Sequence, residues 1–167
     1  MKKIISLIAF AIIVMTSSTA LAQSSDRNTF GLRGPVKAVI YEDSFENLYF
    51  DKNGTFVDPN DMTTFNRDQS GRIIDKYVTN EKYSYKYNNS GNVAEVFYSG
   101  GTSYYETTKY TYNAKGLPIK EAHYGSDDNF TLTFKYHEID SYGNWTKRTA
   151  TNDTSSWIET REIEYYD

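Results

Sequence analysis

The chain has 167 residues, a formal net charge of −4 and no cysteine. The missing cysteines exclude a disulfide framework, thiol catalysis and cysteine-based zinc sites. A mildly acidic chain without a basic block argues against nucleic acid and anionic membrane surfaces as partners.

Residues 1–22 have the layout of a cleaved secretory signal. Lys2 and Lys3 precede an apolar run over residues 4–15, and Ala20-Leu21-Ala22 supplies small residues around a larger one. The run is too short to span a bilayer, and no cysteine is present to carry a lipid. We therefore expect a non-lipidated protein, periplasmic or secreted, from a Gram-negative bacterium.

The remainder, residues 23–167, has the length of a single domain. The signal segment holds two of the 18 Lys and Arg residues and none of the 22 acids, so the remainder carries a formal charge of −6. All 16 tyrosines follow residue 40, and no window has sustained helical periodicity. Aromatic and β-branched residues favour strands, beginning with "PVKAVIYE" at residues 35–42. We predict an all-β domain with almost no helix after the signal.

A short motif recurs around five glycines. Each glycine follows an Asp or Asn by three residues, as in "YKYNNSGNV" and "YTYNAKGLP". The Asx side chain suits the first position of a type I turn, and the glycine suits the left-handed position that closes a hairpin. The predicted turn residues are Asp51 and Gly54, Asp68 and Gly71, Asn88 and Gly91, Asn113 and Gly116, and Asp140 and Gly143.

Each motif predicts a β-hairpin. An aromatic-x-aromatic pair before the turn places two rings on one face of a strand, and an alternating run after it forms the return strand. Successive hairpins predict an antiparallel β-meander of about ten to twelve strands. We expect an elongated, twisted, open sheet rather than a closed one.

The pattern Tyr-x-Tyr-Asx-x-x-Gly-x-apolar resembles the tyrosine–aspartate (YD) repeat of Rhs proteins and teneurins. The best copies are Tyr85, Tyr87, Asn88 and Gly91, and then Tyr110, Tyr112, Asn113 and Gly116. The resemblance implies tandem hairpins in one sheet and the carbohydrate or protein binding attributed to such repeats. The copies are few and unevenly spaced, and about 145 residues cannot enclose a cargo.

No catalytic, cofactor-binding or metal-binding residue can be assigned from the sequence. His137, beside Glu138 and Asp140, could be read as part of a metal site or an acid–base pair. It stands where other copies have an aromatic residue, however, and His137 and Glu138 point to opposite faces of a strand. Residues 51–61 are acidic but fail the EF-hand pattern, which leaves a surface calcium at Asp58 and Asp61 as an open alternative. Nucleophile elbows, phosphate loops and dinucleotide fingerprints are absent.

Five aromatic residues outside the motif are candidates for stacking on a sugar or anchoring a protein: Tyr98, Tyr104, Tyr105, Tyr124 and Trp157. The alternative is that they pack across strands as sheet residues. We expect a non-enzymatic exported module that binds a glycan or protein or acts as a scaffold. The alternatives are a carbohydrate-active enzyme and, as the family resemblance implies, an inhibitor or immunity partner of a secreted toxin.

Residues 157–167, "WIETREIEYYD", alternate along a long terminal strand. Since no return strand follows, we expect an unpaired sheet edge, guarded by Glu159, Arg161, Glu162 and Glu164. The alternative is an edge that adds a strand from a partner or a second copy.

Overall fold

The computed structural model describes residues 25–42, 47–101 and 103–167. The predicted signal at residues 1–22 lies outside the described residues. No helix within the described ranges is long and apolar enough to cross a membrane.

The described chain is all-β, as predicted. One short helix, α1 (Asp26–Thr29), precedes eleven strands. The strands are β1 (Val36–Tyr41), β2 (Leu48–Tyr49), β3 (Thr63–Arg67), β4 (Ile73–Val78), β5 (Glu81–Tyr87), β6 (Val93–Gly100), β7 (Tyr104–Tyr112), β8 (Pro118–Gly125), β9 (Asn129–Ile139), β10 (Trp145–Thr151) and β11 (Ser156–Tyr165).

All eleven strands belong to one antiparallel sheet. Strands β3 to β11 form a meander in which each strand pairs with the next one in the chain. β1 then pairs with the free side of β11, and the two-residue strand β2 pairs with β1. The edge strands β2 and β3 share no ladder, so the sheet is open.

The prediction that the terminal strand forms an unpaired edge is wrong. The long strand exists as β11, but it lies between β10 and β1, with Arg161 opposite Tyr41 and Ile163 opposite Val39. The end of the chain thus pairs with the apolar strand β1 near its beginning, and no local sequence pattern reveals this pairing. Lys37 on β1 pairs with Glu164 at 2.9 Å, so that charge belongs to a cross-strand pair rather than to an edge guard.

The five Asx-x-x-Gly turns share one geometry. The glycine amide donates to the carbonyl of the Asx residue, as from Gly91 to Asn88 at 3.0 Å. The Asx side chain accepts from backbone amides two and four residues on, as Asn88 Oδ1 does from Ser90 at 2.9 Å and from Asn92 at 3.1 Å; Asp51 accepts only from the second of these, Thr55. All five glycines have φ between 73° and 90°, the left-handed region where side chains are strained.

Replacing Gly91 by valine is expected to lower the free energy of unfolding by about 1 kcal/mol or more. A Cβ at Gly91 would meet no atom within 4 Å, so the effect is purely conformational. Denaturant melts of Gly91→Val should show it, while Gly91→Asn should lose less because asparagine tolerates this region. The neighbouring Ser90→Ala variant is the control, and equal midpoints for all three variants and the wild type would refute the conformational argument.

The segment before β1, residues 25–35, crosses the end of the sheet where these turns lie. The Asp26 amide donates to the Gly54 carbonyl at 3.0 Å, and the hydroxyls of Thr29 and Tyr87 are 2.9 Å apart. Further along, the Arg33 amide donates to Asn144 Oδ1 at 2.8 Å. We call residues 25–35 the N-terminal strap, because they connect turns from both halves of the sheet.

The strap also contributes Leu32 to the main apolar core. Leu32 is buried with Val36, Val39 and Phe50, and partly buried rings pack around this cluster. Phe56, beyond β2, lies 5.7 Å from Phe65 of β3, measured between ring centroids. The two edges of the sheet therefore approach each other at the strap, and the sheet curves around a concave face.

Candidate functional site

The concave face of the sheet lines a cavity of about 590 Å³. Its lining comes from β1, β4 to β8, β10 and β11, with the strap at one end. Because side chains alternate along a strand, every second residue of β7 lines it, from Tyr104 to Tyr112. The tyrosines of the lining are Tyr41, Tyr83, Tyr85, Tyr98, Tyr104, Tyr110 and Tyr112.

The paired tyrosines of the motif have two different roles. The second of each pair is structural: the Tyr87 hydroxyl donates to the Ile73 carbonyl at 2.6 Å, and Tyr112 donates to Val93 at 2.5 Å. The first of each pair, Tyr85 or Tyr110, has a hydroxyl with no hydrogen-bond partner among the described residues. Burial raises the pKa of both Tyr85 and Tyr110, so these hydroxyls stay protonated and can donate to a ligand.

A histidine lies between two carboxylates on the concave face. His123 Nδ1 is 2.9 Å from Glu106 Oε1, and Nε2 is 3.5 Å from Glu121 Oε2. Thr108 donates to the same Glu106 oxygen at 3.0 Å. Phe130 stacks on the imidazole ring with 4.2 Å between centroids. The register explains the meeting, since His123 on β8 faces Thr108 on β7 and Phe130 on β9.

The histidine and its partners shift each other's titration. Burial opposes the charged form of His123, but contacts with Glu121 and Glu106 outweigh it and raise the pKa of His123. Burial likewise opposes ionisation of Glu106, but hydrogen bonds from His123 and Thr108 lower the pKa of Glu106. An imidazolium beside ionised Glu106 is therefore the favoured state of this cluster below neutral pH.

The stability of the domain is expected to fall as pH rises from 6 to 8. A histidine whose pKa is raised in the folded state stabilises the fold fully below its unfolded pKa of about 6.5. This stabilisation is lost as the pH rises through the folded pKa. The lowered pKa of Glu106 has the opposite sign, so its stabilisation is lost only in acid. Urea midpoints at each pH measure this trend.

The variant His123→Gln should flatten that pH dependence. His137→Gln is the control, because His137 lies on the outer face with its Nε2 atom 2.6 Å from Thr149 Oγ1. A slope that survives in His123→Gln would assign the dependence to another group.

Two arginines surround Trp145 at the other side of the cavity. Arg148 Nε donates to Glu159 at 2.6 Å, and the Arg148 guanidinium lies 4.2 Å from the Trp145 ring. The Arg161 guanidinium is 3.9 Å from the same ring, and its Nε donates to the Trp145 carbonyl at 2.8 Å. Burial lowers the pKa of Arg161, which the Tyr41 hydroxyl opposes and the Arg148 charge reinforces.

The five predicted binding aromatics divide between the two faces. Tyr98 and Tyr104 line the cavity, and Trp157 shares their face because it pairs with Ala150, two residues from Arg148. Tyr105 and Tyr124 are on the outer face and about half exposed. The ring centroid of Tyr98 lies 4.8 Å from that of Tyr83 and 5.7 Å from that of Tyr104, so Tyr98 also packs across strands.

The predicted turn residues lie apart from this chemistry, at the end of the sheet that the strap covers. Asp58 serves its own turn: its carboxylate accepts from the amides of Asn60 and Met62 and from the Thr63 hydroxyl. Within the described ranges, no group of three His, Asp or Glu side chains is arranged to hold a metal ion.

Sequence reasoning missed the charged residues of the cavity. These are Lys76, Glu106, Glu121, Arg148 and Arg161, with His123 in contact with two of them. One signal was available on β7, where Glu106 lies an even number of residues from the motif tyrosines Tyr110 and Tyr112 and so shares their face of the strand. Alternation along a strand shows which of its residues share a face, but only the register between strands brings Glu106, Glu121 and His123 together.

A scan of the chain against protein-family models finds no match, and a search of curated proteins finds none either.

Proposed function

We propose that the protein is a non-enzymatic binding module whose concave cavity holds a glycan. The observation that carries this proposal is the lining: seven tyrosines, two of which have hydroxyls without a partner among the described residues, together with the buried Arg161 and partly buried charged groups. Aromatic faces stack on the C–H surfaces of sugar rings, and phenolic and carboxylate oxygens bind sugar hydroxyls. A volume of about 590 Å³ falls within the range of small-molecule sites and suits a short oligosaccharide.

Two further parts of the proposal come from the sequence. The first 22 residues support export to the periplasm or beyond, where glycans are available ligands. The five Asx-x-x-Gly turns support a short member of the YD-repeat group, and the two best copies of the motif contribute Tyr85, Tyr110 and Tyr112 to the concave face. A binding module of this kind requires no cofactor.

The test compares matched tyrosine pairs on the two faces. Tyr85→Phe with Tyr110→Phe removes only the two cavity hydroxyls, and Tyr105→Phe with Tyr124→Phe removes two from the outer face. Affinities for a panel of soluble bacterial and plant oligosaccharides are measured by calorimetry. Each lost hydrogen bond lowers affinity about two- to tenfold, so the cavity pair should lose at least fourfold and the outer pair almost nothing. Absence of binding to the whole panel, or a loss confined to the outer pair, would refute the proposal.

A second candidate is a carbohydrate-active enzyme, favoured by the approach of Glu106 and Glu121 to one histidine. Paired carboxylates in a cleft are the groups that glycoside hydrolysis requires. We place this second because His123 engages both carboxylates and leaves neither directed only at a ligand. Product formation from any oligosaccharide, abolished in Glu121→Gln, would reverse the order.

A further inference from the structure

Arg161 is a buried cation whose charge is not balanced by its described neighbours. The residue is 7% exposed and lines the cavity. Its Nε donates to the Trp145 carbonyl at 2.8 Å and its Nη1 reaches the Tyr41 hydroxyl at 3.4 Å. No carboxylate of the described residues forms an ion pair with Arg161, and its Nη2 has no acceptor among them.

The carboxylates of the concave face have other partners. Glu159 accepts from Arg148 through Oε2 at 2.6 Å and from the Trp157 indole through Oε1 at 3.1 Å. Glu106 and Glu121 flank His123 at 2.9 and 3.5 Å. A buried charge without a counterion is costly, so the guanidinium is maintained at a free-energy cost that an anionic ligand would offset.

We infer that Arg161 is the anion-recognition residue of the cavity and that the ligand is an acidic glycan, bound through a uronate carboxylate. This inference rests on the proposed function and names its ligand class. A guanidinium offers a planar set of donors that matches a carboxylate, and the Arg161 plane is already oriented by the Trp145 ring at 3.9 Å.

The rest of the lining fits the other groups of such a sugar. Its hydroxyls can donate to the carboxylate oxygens of Glu121 and accept from the Tyr85 and Tyr110 hydroxyls. Its ring faces meet tyrosine rings on β5, β6 and β7. The cavity thus has an anion-binding side at Arg161 and a hydroxyl-binding side at Glu121, which orients the ligand.

The experiment measures affinity for trimers of galacturonate, glucuronate and mannuronate and for the carboxyl-reduced neutral form of each. Wild type is expected to bind at least one acidic trimer about tenfold more tightly than its neutral form, the value of a charge-assisted contact. Arg161→Met should reduce that preference to near one and leave the affinity for the neutral trimer within about twofold. Lys37→Met, which removes one positive charge from the outer face, should keep the preference.

Arg161→Met should melt close to wild type, since removing an uncompensated buried charge offsets the loss of the hydrogen bond to the Trp145 carbonyl. If this variant does not fold, Arg161→Lys keeps the charge without the planar donors and should still reduce the preference. Equal affinity of wild type for acidic and neutral trimers overturns the inference and leaves the glycan proposal standing. Failure of every trimer and of the neutral panel overturns both.

Discussion

Removing residues 157–167 is expected to abolish the cooperative unfolding transition of the domain. These residues form nearly all of β11, which pairs with β10 on one side and β1 on the other. Their loss leaves β10 paired only with β9 and β1 paired only with the two-residue strand β2, and it removes Ile163 and Tyr165 from around the main core. It also removes the Tyr165 hydroxyl, to which the buried Asn144 amide donates at 2.8 Å. The truncated chain should be aggregation-prone, because two long ladder edges become exposed.

Circular dichroism melts and sedimentation velocity of the truncated protein test this expectation. Deletion of Asp167 alone is the control, since that residue follows β11 and is exposed. A truncated protein that stays monomeric and melts at the wild-type temperature would show that β11 does not join the sheet.

Asp26→Ala is expected to lower the free energy of unfolding by about 3 kcal/mol. The Asp26 carboxylate is 2% exposed and forms an ion pair with Arg67 of β3, with Arg67 Nη2 2.8 Å from Oδ2. The same oxygen accepts from the Phe56 amide at 2.8 Å. Removing the carboxylate leaves both a partly buried guanidinium and a backbone N–H donor without a partner. This is among the most destabilising kinds of substitution.

The matched control is Glu164→Ala, which breaks the exposed pair with Lys37 and should cost far less stability than Asp26→Ala, because solvent screens a surface ion pair. Denaturant titrations of both variants give the comparison. Equal losses in the two variants would mean that the strap does not hold the two edges of the sheet together through Asp26.

The strands and turns were predictable because their causes are local. An Asp or Asn followed three residues later by glycine defines the turn through its own hydrogen bonds, as Asn88 and Gly91 do. The short helix and the strap were missed, since Asp26 and Arg33 are fixed by partners far along the chain. The pairing of β1 with β11 was missed for the same reason: Lys37 and Glu164 are 127 residues apart.

The cavity was less predictable than the sheet. Tyr104 and Tyr105 are adjacent, and the sequence makes them equally good candidates for ligand binding. Because side chains alternate between the two faces of a strand, they must lie on opposite faces. Which of them faces inward depends on the direction in which the sheet curves. Register shifts, such as the one between Thr111 and Tyr112, alter which side chains meet on neighbouring strands. No pattern within a single strand contains that information.

The most direct test of the glycan-binding proposal is a nuclear magnetic resonance titration of the tyrosine and tryptophan side chains with the oligosaccharide panel. If the concave cavity is the site, the ring signals of Tyr98 and Tyr110 and the indole signal of Trp145 should shift and saturate together with the ligand. Those of Tyr105 and Tyr124, on the outer face, should stay in place. Shifts confined to Tyr105 and Tyr124, or no shift with any member of the panel, would contradict the assignment of the cavity as the glycan site.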